Sequence, residues 1–269
     1  ADLARYRKLS ADGFYYPTPQ NYYPSAPSAF WMNPAYHVGE LFHRQKSGGY
    51  FYDIALSSMY SAVNKQSEAG IWLTSPRSEW LYNDYGISEG FFDTRFSTDA
   101  ALFLLHMYQE TGEGQALAAA AGFAAFLRDY AVEQGILTSG GGLLVPDYFK
   151  PGLTHSKTHV SLNHLLSEMN FLYEMYLVDG NKANLEVSSL IRQAVRDTGQ
   201  NWIRKDGNLH YAYMPDGQYG LQDYPLLTLK DLRKSQELIK KISGNEDEVF
   251  NHLIKAKENY LQKQNLPLQ

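Results

Sequence analysis

Apolar residues recur at helical spacing along much of this chain, most regularly after position 160. Leu162, Leu165, Leu166, Met169, Leu172, Tyr173 and Tyr176 follow the three-and-four period of a helix with one buried face. A loop containing Pro146, Pro151 and Gly152 feeds this helix. Side chains able to do chemistry collect at the junction: Asp147, Tyr148, His155, His159, Asn163 and His164. A polar loop running into a buried helix is a common way to build the floor of a site. The stretch Gly142 to Tyr176 is therefore read as the centre of the molecule.

The same period predicts helices over Asp53–Gln66 with Asp53 as N-cap, over Phe96–Glu110 stopping at Gly112, and over the Ala-rich run Gly114–Val132. Further helices are expected over Asn184–Ile203, Leu229–Ile242 and Asp247–Gln262. Residues 67–87 read as a loop whose Trp72, Arg77, Trp80, Tyr82 and Tyr85 suit the lining of a cleft. Gly207 and Asp216-Gly217 mark turns in a stretch that reads as a short hairpin or loop. Residues 1–50 carry Pro, Tyr and Phe with no helical period, so 1–52 is read as an extended arm. Residues 14–36 of it are expected to lie ordered against a surface.

A weak internal repeat organises the helices. Tyr108, Gly112 and Leu117 recur at the spacing of Tyr176, Gly180 and Leu185, and a third turn falls at Gly244. Each marks a helix, a glycine turn and a second helix. Successive helical hairpins predict an all-α fold, an incomplete α/α toroid over 53–269 with an irregular N-terminal arm. A plain helical bundle is the competing architecture.

Composition narrows the function. The net charge of −5 over 269 residues leaves no basic excess for a nucleic-acid backbone. No apolar run reaches membrane-spanning length. There are no cysteines, which removes disulfides, thiolate metal sites and a cysteine nucleophile. That fits a secreted or cell-surface bacterial protein, and a chain opening at Ala1 reads as processed or truncated. The 21 Tyr, 13 Phe and 4 Trp point toward sugars, because an aromatic face stacks on a sugar's C–H groups while a phenol hydrogen-bonds.

No Walker loop, HExxH or GxSxG motif is present. His155 and His159 have helical metal-ligand spacing but no evident third ligand, so no metal is expected there, and acid–base chemistry by tyrosines requires no cofactor. Glu79, Asp84, Glu89 and Asp93 are frequent residue types on loops and do not by themselves make a glycosidase pair. Tyrosines in polar loops are more pointed: Tyr148 in PDYF, Tyr211 and Tyr213 in HYAY, Tyr224 in QDYP. A nearby cation, from Arg77, Arg95, Lys150 or Arg233, would lower a phenol's pKa from about 10 toward working range.

The order of these segments from Trp72 to Gln262 resembles the C-terminal α-helical domain of D-glucuronyl C5-epimerases. A carboxylate-Tyr loop is matched by Asp147-Tyr148, and a Leu-Asn-Gly helix start by Leu162-Asn163-His164. The helix end Leu-Tyr is matched by Leu172-Tyr173, and later segments by Gly207–Tyr211 and Asp223-Tyr224-Pro225. The chain departs from the family after the last Tyr, where PLLT stands for two His.

The resemblance implies catalytic tyrosines at Tyr148, Tyr224 and Tyr211. Tyr148 and Tyr224 would serve the two faces of the ring, and Arg77 or Arg95 the substrate carboxylate. Trp80, Tyr85, Asp147, Asn163, His164 and His210 would line the site. It also implies an anionic polysaccharide partner and a β-rich domain upstream. Epimerisation at C5 needs proton removal beside a carboxylate and return from the other face. A uronate lyase shares the first step, and a hydrolase or a glycan-binding domain without catalysis remains open on the same fold.

Overall fold

The computed structural model describes residues 14–15, 33–34, 39–40, 49–74 and 77–268. The expected arm falls mostly outside these residues. Within it, β1 (Phe14–Tyr15) pairs antiparallel with β2 (Asn33–Pro34). The described residues divide into two compact units. One holds residues up to Phe126 plus Tyr148–Ser156; the other holds Leu127–Asp147 and Lys157 onward.

In the first unit, α1 (Gly49–Lys65) buries Ala55, Ser58, Met59 and Ala62. Asp53 lies one turn inside α1 and is not its cap, because Gly49–Tyr52 continues the helix that was read as arm. α2 (Glu79–Tyr85) occupies part of the expected loop and ends at Gly86, φ 70°, whose N–H bonds Tyr82 O. α3 (Thr94–Thr111) starts on Asp93, whose side chain accepts the Phe96 N–H at 3.0 Å. β3 (Leu73–Thr74), β4 (Phe91–Asp93) and β7 (Tyr148–Phe149) form an antiparallel sheet with Asp93 opposite Tyr148. α4 (Gly114–Gln134) runs from this unit into the second.

In the second unit, α5 (Leu162–Asp179) packs against α6 (Lys182–Thr198) and α7 (Leu227–Ser243). The last helix, α8 (Glu248–Lys263), pairs with α7 and starts on Asp247. α5 was expected to bury one face, yet every residue from Leu162 to Met175 is buried. α7 meets two of its polar residues, accepting from Asn170 Nδ2 at Asp231 O, 3.2 Å, and pairing Lys234 with Glu174 at 3.0 Å; in the sheet of β8 (Val160–Ser161), β9 (His210–Tyr213) and β10 (Tyr219–Gln222), β8 and β9 also pack on α5. The β9–β10 hairpin turns at the expected Asp216-Gly217, with Tyr213 opposite Tyr219.

The hairpin repeat has a physical basis. Gly112, Gly180 and Gly244 all adopt left-handed φ, 74°, 68° and 81°. Their N–H groups close on Tyr108 O, Tyr176 O and Lys240 O, the αL cap that stops a helix.

A different glycine limits packing. β5 (Ile136–Leu137) and β6 (Leu143–Leu144) pair, and β6 lies on α6. A Cβ on Gly142 would stand 2.1 Å from Ala194 N and 2.5 Å from its Cα, both backbone atoms. Gly142→Ala should therefore lower stability by about 3 kcal/mol, at the upper end of overpacking costs. A chemical-denaturation midpoint unchanged by the substitution would show that β6 can move off α6.

Candidate functional site

Asp147 is the buried centre of the second unit's polar cluster. Its N–H donates to His159 O at 3.0 Å. One carboxylate oxygen accepts the Ser161 N–H at 2.8 Å, and the other accepts the Ser161 hydroxyl. His159 Nε2 lies 3.4 Å and His164 Nδ1 3.6 Å from that second oxygen. The local chain explains the meeting. Asp147 immediately precedes β7, His159 immediately precedes β8, and His164 is in the first turn of α5. A carboxylate beside His159 would raise the imidazole, but burial prevails and pushes it down to about 4. At neutral pH His159 is a neutral imidazole. Among the buried residues of the unit, Tyr130 donates to Pro146 O at 3.0 Å, and burial holds its phenol well above 10.

The cluster continues into aromatic rings. His159 lies 6.0 Å from the Tyr211 ring, and Tyr211 meets Tyr224 edge-on at 5.6 Å. Tyr224 is 51% exposed, so its ring presents the outward end of the series Asp147, His159, Tyr211, Tyr224. His210, expected to line the site, lies near Tyr219, at 6.1 Å. Burial lowers its imidazole. Asn163 is buried in the first turn of α5, beside His164 in sequence.

Beneath Tyr224 sits a buried ion pair. Lys257 Nζ donates to Asp223 Oδ2 at 2.6 Å, to Asn208 Oδ1 at 2.7 Å and to the Tyr224 carbonyl at 2.7 Å. Asp223 also accepts the Thr228 hydroxyl at 2.5 Å. Burial raises the Asp223 carboxyl and lowers the Lys257 ammonium, each opposed by the other's charge.

The first unit holds the remaining expected residues. Tyr148 is 7% exposed, in a cluster with Leu81, Ile87 and Phe91. Trp80 meets its ring at 5.4 Å and Phe91 at 5.9 Å, both edge-on, with Tyr85 packed alongside. Arg77 stacks its guanidinium 3.9 Å over the Tyr82 ring. Arg95 pairs with Asp99 at 3.0 Å. Asp93 is buried and burial pushes its carboxyl up to about 7, against the helix-cap hydrogen bond that favours the charged form. His155 is taken up by its own loop, with Nδ1 2.7 Å from Ser156 O and Nε2 accepting the Lys150 N–H at 3.3 Å. Among the described residues, no group of three or more His, Asp or Glu is placed to hold a metal ion, and no helix is long and apolar enough to cross a membrane.

No known sequence family matches the chain, and no curated protein matches it. Solved structures do resemble it. A cellobiose 2-epimerase from Spirochaeta thermophila aligns at TM-score 0.64 with 13% identity, covering 98% of this chain and 67% of that one. A glycoside hydrolase family 76 mannosidase from Bacteroides thetaiotaomicron aligns at 0.60 with 15% identity, over 95% and 67%. A D-mannose isomerase aligns at 0.59 with 14% identity, over 86% and 58%. The chain has the α/α-toroid fold. At such identities the likeness is one of fold, and the chain spans 58% to 69% of the length of the isomerase, mannosidase and epimerase chains it matches. The expected toroid stands, and the toroid chains it resembles act on sugars; none of these three is a glucuronyl C5-epimerase.

Proposed function

We propose that this chain belongs to a carbohydrate-modifying enzyme that moves a proton at a sugar carbon, with Tyr224 as an acid–base group. The observation that carries this is the half-exposed Tyr224 ring held against Tyr211, which in turn lies beside the buried His159 and Asp147. A phenol at the rim of a polar cluster, on a fold shared with a cellobiose 2-epimerase and a D-mannose isomerase, suits proton abstraction next to a carbonyl or carboxylate. The finer reading is C5-epimerisation in a uronate-containing polysaccharide outside the cell. Tyr224 takes the C5 proton, and a second acid returns one from the other face.

A neutral sugar is the second reading. One observation favours it: the two cations expected to meet a uronate carboxylate are engaged elsewhere, Arg77 on Tyr82 and Arg95 on Asp99. Another points back to uronates, since one fold relative, at TM-score 0.53, is described with the saccharide dGlcA-Glc-Rha-Glc.

Heavy water and NMR separate these readings. Deuterium entering C5 of heparosan without chain cleavage supports the uronate epimerase. Deuterium at C2 of mannose or cellobiose supports the neutral-sugar enzyme. New unsaturated ends identify a lyase. Binding of heparosan with no exchange anywhere overturns the proposal in favour of a glycan-binding domain.

A further inference from the structure

Tyr224 leaves the β9–β10 hairpin at its open end, where the two flanks of the hairpin come together. Asn208 precedes β9 and Asp223 follows β10, while Tyr224 starts the passage to α7. One ammonium reaches all three. Lys257 sits in the middle of α8, its side chain fully buried, and donates to Asn208 Oδ1, Asp223 Oδ2 and the Tyr224 carbonyl at 2.6–2.7 Å. Thr228, in the first turn of α7, holds the other Asp223 oxygen. The Asp223 N–H bonds Leu209 O at 3.3 Å, which closes the hairpin end on itself.

Energetics make this placement unusual. A buried ammonium is costly, and a hydrophobic residue of similar size commonly serves stability as well or better. Position 257 continues the buried stripe Phe250, Leu253, Leu261 of α8, where an apolar residue would fit the pattern. What an apolar residue cannot supply is three diverging donors. Two of them close the hairpin, and the third fixes the backbone of the residue whose ring stands half in solvent. Packing around an exposed ring constrains it weakly, so the backbone anchor sets where the hydroxyl points.

We propose that Lys257 is a positioning residue for Tyr224, tying its carbonyl to the end of the hairpin so that its ring is presented on Tyr211. This rests on the reading of Tyr224 as the acid–base group, but its structural half does not. Lys257→Met alone strands the Asp223 charge and is expected to unfold or strongly destabilise the protein. Lys257→Met combined with Asp223→Asn removes both charges, and the fold should return. In that double variant kcat should fall about 10- to 100-fold, the cost of misplacing a catalytic group by about an ångström, with KM changed less than about threefold. With ring-labelled tyrosine, the Tyr224 signal, identified through Tyr224→Phe, should shift and lose its nuclear Overhauser contact to Tyr211.

A merely structural Lys257 predicts the reverse: a folded double variant that keeps both the Tyr211–Tyr224 contact and parental kcat overturns the proposal. Should the double variant not fold, the parent itself decides. Nitrogen-labelled Lys257 should show slowly exchanging Nζ–H protons with a coupling across the hydrogen bond to the Tyr224 carbonyl carbon. An ammonium exchanging as fast as a surface lysine, with no such coupling, overturns the proposal. A parent protein that exchanges no proton on any sugar overturns the proposed function, and the nuclear Overhauser and coupling measurements still judge Lys257.

Discussion

Tyr224→Phe is expected to lower turnover by about two or more orders of magnitude while leaving saccharide affinity within about threefold. The first figure is the usual contribution of a general acid or base. The second follows because phenylalanine keeps the ring, its edge contact with Tyr211 and its half-exposed stacking face, and loses only the hydroxyl. Tyr148→Phe is the contrast. Its ring is 7% exposed and held by Trp80 and Phe91, so packing by itself accounts for a tyrosine-sized residue there. If packing is its role, Tyr148→Phe stays within about threefold of the parent, and Tyr148→Ala loses about 3–5 kcal/mol of stability. Single-turnover proton exchange in heavy water and calorimetric titration with the same saccharide read both quantities. Full exchange by the Tyr224→Phe protein would remove Tyr224 from the chemistry. A hundredfold loss in Tyr148→Phe would instead give its hydroxyl a part in the chemistry.

The second large effect is on stability between about pH 4 and 7. Asp93 holds its proton up to about pH 7 when folded, against 3.8 for an ordinary carboxyl. Across that window the folded chain is protonated there and the unfolded chain is not. The stabilisation is complete below about pH 4 and is lost as pH rises through 7, a total of roughly 4 kcal/mol. His159 works the other way. Its folded imidazole protonates only near pH 4, against 6.5 when unfolded. That stabilisation is complete above 6.5 and is lost as pH falls toward 4, roughly 3 kcal/mol in all.

In the parent the two slopes oppose each other. Asp93→Asn, which keeps a good helix cap, should make stability rise with pH relative to the parent. His159→Gln should make it fall. Denaturant unfolding of the three proteins at pH 4.5, 5.5 and 6.5 measures the differences. Parallel profiles for parent and Asp93→Asn would mean that the Asp93 carboxylate is ionised throughout.

The helical hairpins were legible because their signals are local. A glycine four residues past Tyr108 or Tyr176 closes the αL cap whatever surrounds it. α2 was not legible: seven residues rich in Trp, Tyr, Asn and Asp carry too little period to outweigh the turn residues on either side. Of the candidate site, Asp147, His164, Tyr211 and Tyr224 were named from loop position and resemblance, and all four fall in the second unit's cluster or on its aromatic extension. His159 was placed at the junction and weighed as a metal ligand, since spacing cannot show that the chain returns it to the Asp147 carboxylate. Lys257 was missed for a different reason. Lysine is ordinarily read as surface, yet its place in the Phe250, Leu253, Leu261 stripe of α8 was a visible anomaly that periodicity could have flagged. Tyr148 was grouped with the site by resemblance, and Arg77 and Arg95 by their charge; their partners in the structure include Trp80 and Phe91, Tyr82, and Asp99.

The distance along the chain between Asp223 and Lys257, 34 residues, has a consequence in time. The hairpin that carries Tyr211 and Tyr224 leaves the ribosome before the helix whose ammonium closes it. At 5–20 residues per second the gap is roughly 2–7 s. For that interval the nascent chain holds an unneutralised Asp223 and an open strand pair, and the tyrosine face is assembled only when α8 arrives.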